Sequence, residues 1–276
     1  MSRRTLGRIG WNALGLFVFL VIIFPVYWMI STAFKEGQNV LADTPQFWPH
    51  PATLSNFDDA IHRQYFWDVV RNSLIIVTVV VSLSLVLAFL AALALAKFQF
   101  YGRGAFIVLI LGVQMVPLNA LIIPLYIQLS RAGLVNELTG VIITYLTFVL
   151  PFTVWTLRGF MLGIPRDLEE AAMVDGSSRF GAFVRILLPL IAPGMVATSI
   201  FAFIQAWNEY LIAYVLLNDA QKQTITVWLA DFTTQRGTDW GPLMAAATLT
   251  ALPVVVFFLL VHQKIAAGLT AGAVRG

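Results

Sequence analysis

Charge in this chain is gathered into short clusters, and the long stretches between them carry none. No Asp, Glu, Lys or Arg occurs from Ile9 to Phe34, Asn72 to Ala96, Gly104 to Ser130, Leu138 to Leu157, Ile186 to Asn208 or Trp240 to Gln263. A helix needs about 20 predominantly apolar residues to cross the hydrocarbon of a bilayer, and every one of these gaps is long enough. Backbone groups in lipid must be satisfied within the segment, so each gap reads as a helix. Composition agrees, with 11% charged residues against about 25% in a soluble domain. The pattern predicts an all-α integral membrane protein. Its six transmembrane helices fall at roughly 11–33, 73–96, 105–129, 139–161, 192–217 and 243–265.

The first gap follows Arg3, Arg4 and Arg8, as a signal peptide's core would. Its apolar run continues through Tyr27 and Trp28 to about Ala33 with no small-x-small cleavage pattern, so it is expected to stay as the first helix. Lys and Arg accumulate on the cytoplasmic side of short loops. One side of the alternation holds Arg3, Arg4, Arg8, Lys97, Arg103, Arg158, Arg166, Arg179, Arg185, Lys264 and Arg275; the other holds only Lys35, Arg63, Arg71, Arg131, Lys222 and Arg236. This predicts a multi-pass protein of the cell (plasma) membrane with both termini in the cytoplasm. The net charge of +3 then reflects orientation, and no nucleic-acid partner is inferred.

Catalytic chemistry has little to stand on. There is no cysteine, and His50, His62 and His262 lack metal-ligand spacing. No Gly-x-x-x-x-Gly-Lys-[Ser/Thr] phosphate loop, dinucleotide fingerprint or nucleophile–base pair appears. The chain is expected not to be an enzyme, with no metal and no cofactor of its own. Two external loops, Phe34 to Arg71 and Asn218 to Trp240, are rich in aromatics such as Phe47, Trp48 and Trp67. Interfacial anchoring explains such residues; a docking surface for an external protein is the alternative.

The cytoplasmic segment Leu162 to Ile191 is patterned for structure. Asp167 and Glu170 have capping-box spacing, with Asp167 as N-cap and Glu170 at the third helical position. Glu169 and Glu170 suit the positive end of that helix, and Gly176 is placed to end it. Ser177 or Ser178 can cap a second helix with Phe180, Phe183 and Leu187 on one side, which Pro189 and Pro193 are expected to break. Two short helices at a sharp angle would make a rigid projection.

Glu170-Ala171-Ala172, three residues, Gly176, nine residues, then Ile186-x-Leu188-Pro189 resembles the EAA loop of ABC importer permeases without a gap. Asn72-Ser73-Leu74, Trp207-Asn208-Glu209-Tyr210-Leu211 and the tail Gly268-Leu269-Thr270-x-Gly272-Ala273-Val274 extend the resemblance to the carbohydrate-uptake branch, and within it to the smaller maltose-type permease. The resemblance implies a bundle like that of the methionine-importer permease. It divides the chain into a cytoplasmic N-terminus at 1–10, a permease domain at 11–267 with a coupling loop at 162–191, and a cytoplasmic tail at 268–276. It further implies that Glu169, Glu170, Ala171, Ala172, Asp175 and Gly176 couple to a cytoplasmic ATPase, which binds the ATP. A second homologous permease, two ATPase subunits and an external sugar-binding protein are the implied partners, with membrane lipid around them. The implied cargo is a di- or oligosaccharide. Maltodextrin, cellobiose and chitobiose stay open, and overall resemblance favours N,N'-diacetylchitobiose.

Glu209 is the one acidic residue within a predicted span, eight residues from Leu217 and hence about 12 Å from the external end at 1.5 Å per residue. A carboxylate there must face the bundle interior or a wet cavity. It serves either an interhelical hydrogen bond or the translocation path. Asn208, Trp207, Gln114 and Asn119 are further path candidates, with Tyr210 beside them; Pro117 and Pro124 are expected to kink the third helix. A secondary transporter or channel not driven by ATP is the rival class. It leaves the patterned cytoplasmic loop unexplained, and the chain shows no internal repeat of the kind carriers often have.

Overall fold

The computed structural model describes residues 3–273 apart from 236, with side chains over 10–261. The tail motif from Gly268 and the basic residues Arg3, Arg4, Arg8, Arg236, Lys264 and Arg275 lie outside the described side chains. The chain divides into two compact units, 1–66 with 228–252, and 67–227 with 253–276.

In the first unit, α1 (Arg3–Ala33) is followed by α2 (Gly37–Val40) and α3 (Ser55–His62). The apolar window of α1 is unburied, as suits a helix solvated by lipid. The segment after it is ordered, although it was expected as loop. Lys35 bridges Ala52, and the Thr53 N–H donates to Phe34 O at 2.8 Å. Buried Asn56 donates to Ala33 O at 3.0 Å and Lys35 O at 2.7 Å, which satisfies carbonyls at the end of α1. Lys35 is buried with its ammonium 4.0 Å from the Trp28 ring centroid, and desolvation lowers its pKa. Gly241 abuts Asn56: a Cβ there would lie 2.4 Å from Oδ1. Trp228 packs on Phe66 and Phe232 and donates to Gln64 O at 3.0 Å. Strands β1 (Thr233–Thr234) and β2 (Gly237–Thr238) pair antiparallel just before α13 (Trp240–Ala273).

The second unit contains α4 (Phe66–Lys97, nearly all of it), α5 (Arg103–Gln114), α6 (Leu118–Arg131), α7 (Leu138–Leu162), α8 (Asp167–Val174) and α9 (Arg179–Ala182). A π-helical turn at Phe183–Leu187 leads into α10 (Leu188–Trp207), then α11 (Leu211–Leu216), a 3-10 turn at Ala220–Lys222 and the start of α12 (Ile225–Ala230). Lipid supplies no hydrophobic drive between helices, so association rests on close packing by small residues. Ala88, Ala92 and Ala96, each four apart on α4, pack in one core with Leu157 and Met161 of α7 and Ile191 of α10. Gly194 of α10 lies so near Phe160 of α7 that a Cβ would meet its ring at 2.6 Å. Buried Thr144, Thr153 and Thr198 return their hydroxyls to carbonyls four residues back, at 2.8, 2.8 and 2.9 Å. Asn72 and Ser73 fasten the segment after α11: Asn72 donates to Gln221 O at 2.9 Å and Ser73 accepts from Ile225 N–H at 2.8 Å.

Two expected spans differ. The third is α5 and α6, bent by 99° at the break between Gln114 and Leu118, and not one kinked helix. Pro117 cannot donate its N–H and restricts the residue before it. The fifth stops at Trp207, ten residues short of the expected end, and restarts at Leu211. Conversely, Pro189 and Pro193 do not break the helix that begins at Arg179; helix runs on to Trp207 over 29 residues. The π turn accounts for this. The Leu188 N–H reaches five residues back to Phe183 O, so the ladder has already widened where Pro189 has no N–H to give.

Candidate functional site

The loop at 162–191 is built from short-range signals. Helix α8 begins one residue earlier than the capping-box reading requires. Arg166 is its N-cap without a side-chain bond, Asp167 is the first helical residue, and Glu169 and Glu170 donate their N–H groups to Arg166 O. The capping box is therefore not formed, and the three carboxylates of the first turn, Asp167, Glu169 and Glu170, sit at the positive end of the helix dipole. The far end follows expectation closely. Gly176 takes φ +90°, its N–H donates to Met173 O, and Ser177 N–H donates to Ala172 O at 2.9 Å. This pair of bonds closes the helix on a left-handed residue, where only glycine is free of strain. Ser178 then caps α9, its Oγ accepting from Gly181 N–H at 3.1 Å.

A long-range brace holds the loop. The Lys97 ammonium at the end of α4 forms a salt bridge with Glu169, both partly buried, and Arg166 Nη2 reaches Lys97 O at 3.5 Å. Phe183 packs on Phe89 and stacks on Phe180 with centroids 6.1 Å apart, Leu187 is buried, and Phe180 is 75% exposed at the outer end of this row. Glu170, Ala171, Asp175 and Gly176 are exposed and Ala172 is half-buried. Val174 is 88% exposed, and Leu168 and Met173 are exposed beside it. The projection thus presents an exposed apolar ridge, with Val174 at its crest.

At the other break, Trp207 is buried and stacked on Phe203 with centroids 5.6 Å apart. Glu209 lies between helices and not within one. Its carboxylate accepts from Tyr145 OH at 2.7 Å, Ile212 N–H at 2.9 Å and Ala213 N–H at 3.2 Å. Thr226 donates to its carbonyl at 2.8 Å. It caps α11 and ties that helix to α7. Asn208 and Tyr210 are exposed, the latter stacked on Tyr214. Gln114 and Asn119, also exposed, flank the α5–α6 break. Gln114 lines a cavity with Gln205, Thr147, Phe148, Phe152 and Phe201; Asn119, Trp207, Asn208 and Glu209 do not line it. Sequence reasoning missed Gln205, one apolar helix face away from the polar Trp-Asn-Glu run, and missed Lys97 as the brace, which lies 72 residues from Glu169.

Residues 84–270 match the family of binding-protein-dependent transport system inner membrane components. The chain belongs to that family. This permease is 42% identical over 276 residues to the diacetylchitobiose uptake system permease protein DasC of Streptomyces coelicolor, covering all of both chains. It is 33% identical to the trehalose/maltose transport system permease protein MalG of Thermococcus litoralis, covering 93% of each. Its fold matches a bacterial ABC transporter involved in alginate import, with a TM-score of 0.79, 23% identity and coverage of 95% of this chain and 98% of that one. The permease is a multi-pass membrane component and not a catalytic subunit.

Proposed function

We propose that this permease forms one half of the translocation pathway of an ATP-driven sugar importer, for a di- or oligosaccharide delivered by an external binding protein. A second homologous permease supplies the other half, two separate ATPase subunits bind and hydrolyse ATP, and both termini face the cytoplasm. The names of the similar permeases support a sugar cargo, and the similarity to DasC supports N,N'-diacetylchitobiose.

The observation that carries the coupling role is the loop 162–191. A short helix is braced at Glu169, turned sharply at Gly176, and left with Val174 and Phe180 bare. Exposed apolar ridges on a rigid support mark protein-docking surfaces. In this reading the ridge sits in a cleft of an ATPase subunit, with Glu170 and Asp175 at its rim. Closure of the ATPase pair moves both permeases from inward-facing to outward-facing, and the binding protein releases its sugar between them.

Gly176→Pro and Glu170→Lys test the loop. Both variants are expected to insert and to pair with the second permease, because the changes lie outside the packed spans. Both should abolish sugar uptake, with the ATPase lost on purification or no longer stimulated by loaded binding protein. Normal uptake by both would remove the loop from the coupling role. Single cysteines at Gly176 and at exposed Ser55 test the topology: an impermeant thiol reagent applied to intact cells should label the second and spare the first.

A further inference from the structure

The α5–α6 break opens a cavity of about 280 Å³ in the second unit. Its wall joins three charge-free stretches of the chain, through Gln114, Thr147 and Gln205 on the polar side and Phe148, Phe152 and Phe201 on the apolar side. Among the described residues, neither glutamine amide has a hydrogen-bond partner within the chain, and both are exposed. An amide left unpaired in hydrocarbon costs on the order of several kcal/mol. This wall therefore meets water, a polar ligand or another protein chain, and not lipid.

The backbone adds to the polar side. Pro151 has no N–H, so the carbonyl of Thr147 loses its helical donor. The Thr147 hydroxyl donates to Ile143 O at 3.0 Å, and its oxygen remains able to accept. Helix α6 starts at Leu118 without a side-chain cap; Ala120 N–H bonds to Pro117 O at 3.1 Å, and the N–H groups of Leu118 and Asn119 have no partner among the described residues. Opposite these groups, Phe152 and Phe201 lie with ring centroids 3.8 Å apart. Donors and acceptors are both present, an aromatic wall faces them, and no lining residue is charged. A carboxylate or phosphate would find no cation there. A sugar ring, with an apolar C–H face and a rim of neutral hydroxyl or acetamido groups, matches both sides. The volume of about 280 Å³ falls just below the roughly 300–1,000 Å³ usual for ligand pockets, which suits one ring and not a chain.

We propose that this cavity is a subsite for a single residue of a neutral saccharide, with Gln114 and Gln205 as its hydrogen-bonding groups. The proposal rests on the sugar-importer reading above and adds to it that this subunit contacts the sugar itself, at residues removed from Glu209.

The test uses the whole transporter, reconstituted in liposomes with its second permease, ATPase subunits and binding protein. Labelled N,N'-diacetylchitobiose, cellobiose and maltotriose serve as probes, with uptake, stimulated ATP hydrolysis and subunit composition measured separately. Gln114→Leu and Gln205→Leu keep side-chain volume and remove the amide. Each is expected to lower uptake about tenfold, the size of one neutral hydrogen bond, with the subunits complete and ATP hydrolysis still stimulated. Gln205→Asn should recover part of the loss. Unmodified uptake by both leucine variants overturns the subsite and leaves the importer reading standing. Loss of the second permease from either variant also overturns it, since the amides then bond across that interface. Failure of the unmodified transporter to import any of the three probes with ATP overturns the sugar reading itself, and the subsite with it.

Discussion

Two breaks interrupt the helices of the second unit, and they are finished in opposite ways. Between Trp207 and Leu211 the free backbone donors are met by Glu209, the carboxylate is met by Tyr145, and Trp207 is buried against Phe203. Between Gln114 and Leu118 the chain bends by 99°, no side chain caps α6, and Gln114 has no hydrogen-bond partner among the described residues. A polar residue in a membrane span is a candidate site only if its hydrogen bonds remain to be made. Glu209 carries the stronger charge and the more conspicuous sequence setting, yet its bonding capacity is largely used within the fold. Gln114 and Gln205 are less conspicuous and remain open.

Substitutions at the closed break should be read in stability, and those at the open break in transport. The largest effect is expected for Glu209→Ala. It strips partners from Tyr145 OH and the N–H groups of Ile212 and Ala213, at about 1–3 kcal/mol for each buried group left unsatisfied. The variant should lose thermal stability in detergent or fail to assemble; an intact, stable variant with altered transport would reverse the contrast between the breaks. Glu209→Gln should lose less, since an amide oxygen can keep one of the backbone bonds while its nitrogen cannot accept. Tyr145→Phe removes one bond and should cost about 1 kcal/mol, read as a small drop in the unfolding midpoint. Gln114→Ala should leave that midpoint within about 0.5 kcal/mol of the unmodified chain, as expected of a substitution that breaks no bond in the fold. A clear fall there would show that the amide is already used in packing.

The distribution of charge made the membrane class and the approximate spans legible, because lipid excludes charge over a length that helix geometry sets. It could not show continuity. A charge-free run records what lies in hydrocarbon and is silent about whether the helix inside it is whole, so the break at Pro117 was read only as a kink, that at Asn208 went unread, and the passage through Pro189 was read as a stop. Gly176 and Ser178 were legible because each acts within a few residues of itself. Asp167 was misplaced as the cap because the helix starts one residue sooner, a shift that local pattern does not resolve. Lys97 paired with Glu169, and Gln205 beside Gln114, are products of the tertiary arrangement. No local spacing announces either.

The unbroken helix from Arg179 to Trp207 has a mechanical consequence. At 1.5 Å per residue its 29 residues span about 43 Å, from the Ser178 cap on the loop at 162–191 to the closed break at Glu209. A rod of that length behaves as a lever. A displacement at its Arg179 end would reach Trp207 without a loop to absorb it, and the close approach of Gly194 to Phe160 lies near the middle of the rod, where a fulcrum would divide it almost equally. The π turn at Phe183–Leu187 and Pro193, which has no N–H for the helical ladder, are where the rod can give.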